Sequence, residues 1–80
     1  MGSMNKNRRK AIAEVRDILE PATSNLEVIR DEEQESFDNL PEGIQESERG
    51  EKMSECIEYL EEAIENLGEA IDNLDESNYE

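Results

Sequence analysis

The sequence contains no histidine and no tryptophan, and only one phenylalanine, two tyrosines, two prolines and one cysteine. Without His it lacks the usual general base near neutral pH and the commonest transition-metal ligand. The lone Cys56 excludes an intramolecular disulfide and a Cys-rich zinc site, and it fits a reducing, cytoplasmic setting. Basic residues are scarce as well: eight Lys and Arg stand against 23 Asp and Glu, for a net charge of −15. Such a chain is not expected to bind nucleic acid directly, because that affinity comes from cations that neutralise phosphates. No apolar run approaches the ~20 residues of a membrane span, and there is no signal-peptide core, so no membrane partner is expected.

What is present is order. Over residues 53–74 large apolar side chains fall at Met53, Ile57, Leu60, Ile64, Leu67, Ile71 and Leu74. Steps of four and three keep one helix face apolar and match a coiled-coil seam. The opposite face repeats as regularly: Glu51, Glu55, Glu58, Glu62, Glu65, Glu69, Asp72 and Glu76 form an unbroken carboxylate row. High charge with few aromatics is also a signature of disorder, but disordered tails do not keep apolar residues in phase. The prediction is helix.

A second heptad pattern starts at Ile12 and continues through Val15, Leu19, Ala22, Leu26 and Ile29. Pro21 lies inside it, where proline removes a hydrogen bond and usually kinks or breaks a helix. Because the apolar register is the same on both sides, the pattern predicts one helix over about 7–37, kinked at Pro21 on its outer side. A break with Pro21 restarting the helix is the alternative. Asp38-Asn39-Leu40-Pro41-Glu42-Gly43 carries turn signals, so 38–46 is read as a turn whose Phe37, Leu40 and Ile44 cap the core. Ser47 can cap a second helix over about 47–77, with Glu48 and Glu51 in its first turn.

Two long helices joined by a short turn make an all-α, antiparallel, coiled-coil-like hairpin. Pairing about residue 42 sets Arg8 near Glu76, so the basic opening 5–10 serves chiefly as a local partner for the acidic C-terminus. A contact with anionic lipid or nucleic acid is the other reading of that segment. Met1-Gly2-Ser3 reads as a cloning remnant, leaving a single domain over 4–80. Eighty residues bury too little to be robust alone. The expected seam is wide, comprising Cys56, Ile57, Leu60, Ala63, Ile64, Leu67, Ala70, Ile71 and Leu74. Its small-residue row at Cys56, Ala63 and Ala70 suggests that two hairpins pair into a homodimeric four-helix bundle.

The turn Asp38-Asn39-Leu40-Pro41-Glu42, with Gln45 and Ser47-Glu48-Arg49, leads into the repeats Glu-Ala-Ile-Glu-Asn-Leu and Glu-Ala-Ile-Asp-Asn-Leu. These features, over roughly residues 31–74, resemble short acidic proteins encoded in phages and prophages of Gram-positive bacteria, a family without an assigned activity. The resemblance implies an accessory protein working in the cytoplasm of a bacterial host cell.

Catalysis is not expected. A solvated row of identical carboxylates cannot separate the two pKa values that acid–base work needs, and Glu55 and Glu58 disfavour a thiolate at Cys56. No cofactor or metal is expected either: the acidic runs 31–35 and 72–76 match no spaced-ligand loop and attract counter-ions only diffusely. Two functions remain. A nucleic-acid mimic would use the carboxylate row to occupy and inhibit a basic DNA- or RNA-binding site on a host or defence protein. A helical adaptor or structural oligomer would act through the apolar seam, with the acid serving solubility.

Overall fold

The computed structural model of the chain describes residues 5–78; the Met1-Gly2-Ser3 segment lies outside them. Three helices follow in order: α1 (Lys6–Asp38), α2 (Glu42–Gln45) and α3 (Glu48–Ser77). The two long ones pack along each other as a hairpin, and there is no strand among the described residues. The molecule is a rod of 63 × 17 × 12 Å.

Helix α1 starts earlier than its apolar pattern because Asn5 caps it. The Asn5 Oδ1 accepts from the N–H of Asn7 at 2.8 Å and of Arg8 at 3.4 Å, satisfying donors that a helix start leaves open. The basic opening is therefore the first turn of the helix and not a free arm. Helix α1 runs unbroken through Pro21, which is exposed on the outer side, so the kink-or-break question resolves in favour of one helix. Two residues on, the Thr23 hydroxyl donates back to the Leu19 carbonyl at 2.8 Å, a bond that tends to bend helices.

The connection is more structured than a turn. Pro41 opens the short α2. The side chain of Gln45 folds back, its Nε2 donating to the Phe37 carbonyl at 3.0 Å at the end of α1. Ser47 caps α3 as expected, accepting from the Gly50 N–H at 3.4 Å, with Glu48 and Glu51 in the first turn. Phe37 and Leu40 are half-buried, but Ile44 stays exposed; its capping role passes to Gln45, which can meet open carbonyls where an aliphatic side chain cannot.

Gly50 is buried, and a Cβ there would overlap the carbonyl groups of Ile44 and Gln45. Gly68 is half-buried, yet a Cβ there would meet nothing within 4 Å. Replacing Gly50 by Ala should cost about 1–3 kcal/mol through forced backbone shifts. Gly68→Ala should stabilise by ~0.5–1 kcal/mol, the usual helix preference for Ala. Paired thermal melts of the two variants check the contrast.

The rotation of α1 differs from the expected one. Apart from Ala13, its half-buried residues form two rows in sevens, Arg9, Arg16, Thr23, Arg30, Phe37 and Ile12, Leu19, Leu26, Glu33, the second continued by Leu40 just past the helix end. Ile12, Leu19 and Leu26 face α3 as the heptad pattern predicts, whereas Val15, Ala22 and Ile29 do not and are exposed. Two causes select this rotation. Phe37 and Leu40, held at the turn, set the phase for the whole helix. The long stems of Arg9, Arg16 and Arg30 can cover apolar surface while their charged heads reach its rim.

Candidate functional site: the acidic and apolar faces

Each carboxylate of the row Glu51, Glu55, Glu58, Glu62, Glu65, Glu69, Asp72 and Glu76 is exposed on α3. Packing explains this. Ile57 is buried at 5 % exposure, and Leu60, Ile64, Leu67, Ile71 and Leu74 are half-buried, so the row opposite them must face water. At 1.5 Å rise per residue it spans about 38 Å, with one carboxylate every ~5 Å. Glu20, Glu27, Asp31, Glu35 and Asp38 of α1 are also exposed and add to the negative surface.

Little of this charge is neutralised. Among the described residues the ion pairs are Arg16 with Glu20 and Asp75, Arg30 with Asp31, and Lys52 with Glu48, all off the row. The hydrogen bond from Arg16 to Asp75, then that to Glu20, holds its guanidinium above the usual range. Asn78 exchanges bonds with Arg9: the Arg9 Nε donates to its Oδ1 at 3.4 Å, and its Nδ2 donates to the Arg9 carbonyl at 3.3 Å. The start of α1 thus lies against the end of α3, less than one helical turn from the expected level. Each helix end so gains a neighbour that offsets its dipole, cations at an N-terminus and carboxylates at a C-terminus being individually unfavourable.

The expected seam divides in two. Ile57, Leu60, Ile64, Leu67, Ile71 and Leu74 are spent within the hairpin, against α1. Ala63 and Ala70 are only half-buried, and Cys56 is exposed. Cys56 lies in an open cleft of about 490 Å³ lined also by Lys52, Glu55, Tyr59 and Leu60. Sequence reasoning missed that α1 exposes Val15, Ile18 and Ile29. The signal that could have found it was Phe37: counting back in sevens reaches Arg30, Thr23, Arg16 and Arg9, which leaves the other apolar row outside.

Among the described residues no group of three or more Asp, Glu or Cys is arranged to hold a metal, and no helix is long and apolar enough to cross a membrane. What the arrangement can do is bind: a stiff anionic surface lies on one side and an apolar one elsewhere. Comparison with protein families, with curated proteins and with solved structures finds no match for this chain.

Proposed function

We propose that this chain is a small acidic accessory protein of the phage kind that acts by binding another protein. Its acidic face occupies a basic DNA- or RNA-binding groove of a host or defence protein and blocks it, in the cytoplasm of a bacterial cell. The observation that carries this reading is the row of eight exposed, unpaired carboxylates on one 30-residue helix. A DNA strand carries a phosphate every ~3.4 Å along its axis, and the row approaches that density. A rigid helix presents these charges without paying chain entropy on binding, and counter-ions released from the groove favour the complex. In this reading two hairpins pair into a homodimeric four-helix bundle, which doubles the acidic surface. The exposed Ile18 and Tyr59 favour a second reading, an adaptor that takes a partner's helix on its apolar side.

The test uses immobilised protein and a lysate of a Gram-positive bacterium. Proteins that it retains should be released by duplex DNA but not by polyglutamate of equal charge. Retention should fall at least about tenfold between 50 and 200 mM salt. The quadruple variant Glu58→Gln, Glu62→Gln, Glu65→Gln, Glu69→Gln should lose retention by a similar factor with its helicity intact. If that variant retains the same proteins as the parent, mimicry fails.

A further inference from the structure

In α1, Val15, Ala22 and Ile29 each precede by one residue an inward position, Arg16, Thr23 or Arg30. In α3, Cys56, Ala63 and Ala70 stand in the same relation to Ile57, Ile64 and Ile71. One residue back is a rotation of about 100° of the same sense in both helices. For antiparallel helices, equal rotations of one sense end on the same side of the pair. The exposed row of α1 and the small row of α3 therefore form one face.

On α1 it comprises Ala11, Val15, Ile18, Ala22, Asn25 and Ile29; on α3 it comprises Cys56, Tyr59, Ala63, Asn66, Ala70 and Asn73. Between these limits the face carries no charged residue, although Lys52 and Glu55 border it beside Cys56 and Tyr59. In a chain of which 39 % is charged, a broad charge-free face is not a solvated surface left to drift. Its large members are open, with Ile18 at 68 % and Tyr59 at 66 % exposure.

Area and symmetry point to the occupant. The chain exposes 6039 Å², whereas a compact monomer of its mass exposes about 4,900 Å². The excess, about 1,100 Å², is spread along a rod of 63 × 17 × 12 Å. Pairing lengthwise with a second copy is the contact that removes most of it, a stable interface taking ~800 Å² from each partner. Glu55, Glu62, Glu69 and Glu76 stand three or four residues from Tyr59, Asn66 and Asn73 and border this face at its α3 edge. Pairing therefore brings like charges together only at a solvated rim and should tighten as salt is raised. The pattern is also self-complementary. Arg9 and Asn78 are level, which puts Ala22 within about 3 Å of the level of Ala63. Val15 and Ile29 flank Ala22 at equal distances, as Cys56 and Ala70 flank Ala63.

We propose that this face meets the same face of a second copy about a twofold axis at the level of Ala22 and Ala63, with the two turns at opposite ends. The inference rests on the pairing proposed above; it adds the contribution of α1 and the orientation. Val15 of one copy then meets Ile29 of the other, and the alanines at the axis allow close helix approach.

Sedimentation equilibrium of the full chain should give a dimer at micromolar concentration. The variant Gly43→Cys/Cys56→Ala, spin-labelled at the turn where a side chain meets open space, measures orientation by dipolar spectroscopy. Opposite ends predict a separation of about 60 Å, whereas turns at the same end predict about 20 Å. A dimer with the short distance overturns the orientation and leaves pairing standing; a monomer overturns both. Ala22→Glu, at a position exposed in the hairpin, should weaken dimerisation at least about tenfold by burying a charge. An unchanged dimer constant overturns the role of α1. None of these variants touches the carboxylate row, so mimicry is tested independently.

Discussion

Ile57→Ala should cost about 2–5 kcal/mol, the largest loss of any single truncation in this chain. Ile57, at 5 % exposure, is the one buried apolar side chain among the described residues. It follows Gly50 by seven positions, and these are the two buried residues of α3, near the end where α2 closes the hairpin. Deleting its outer carbons removes transfer energy and leaves a cavity that the packed turn cannot collapse around. A domain this small has only ~3–5 kcal/mol to lose, so the variant should be largely unfolded at 37 °C. Ile64→Ala and Ile71→Ala, at half-buried positions, should lose less. Val28→Ala, 56 % exposed and off both apolar faces, should stay within ~0.5 kcal/mol of the parent. Urea titrations followed by circular dichroism rank the four. They need one fixed protein concentration, because the proposed self-association would couple stability to concentration. Equal losses at Ile57 and Val28 would show that the turn end is not where the core lies.

The helices were legible because their evidence is local. Apolar steps of three and four, Ser47 ahead of two glutamates and the turn residues between 38 and 43 all act within a few positions. The rotation of α1 was not legible from its heptads. Ile12, Leu19 and Leu26 belong to the inward face under either rotation, so they cannot choose between them. The choice falls to Val15, Ala22 and Ile29 against Arg16, Thr23 and Arg30, and hydropathy selects the wrong set. It counts an arginine as polar, although its stem covers apolar surface and its head reaches a carboxylate such as Asp75. The Gln45 bond to the Phe37 carbonyl was hidden for another reason: an amide eight residues away becomes a cap only once the chain has turned. The need for glycine at position 50 was hidden likewise, because the carbonyl groups of Ile44 and Gln45 that a Cβ there would meet arrive only once the chain has turned. The carboxylate row needed none of this, since fixing the inward face of α3 fixes the outward one.

Raising the salt concentration should stabilise the fold, with a rise in melting temperature of about 5–10 °C between 0.01 and 1 M, as the Debye length falls from ~30 to ~3 Å. The sign follows from two opposed sets of pairs and the net charge. Along α3 the row brings seven successive like-charge neighbours together at spacings of three or four, each destabilising by ~0.2–0.5 kcal/mol. Against them stand, among the described residues, four ion pairs at partly or fully exposed positions, each contributing at most a few tenths to ~1 kcal/mol. Salt screens both sets, and the general self-repulsion of a net charge of −15 with them. The two sets are of similar size, so the self-repulsion of the net charge decides the sign, and its loss wins. The quadruple Glu→Gln variant should melt higher than the parent at low salt and respond less to added salt. A melting temperature that falls with salt would mean that Arg16 and its neighbours hold the hairpin together. Capture of a basic partner should move the other way, weakening as salt rises. On the proposed function the same carboxylates lower stability and raise affinity, so that an unbroken row would trade stability for a surface that binds.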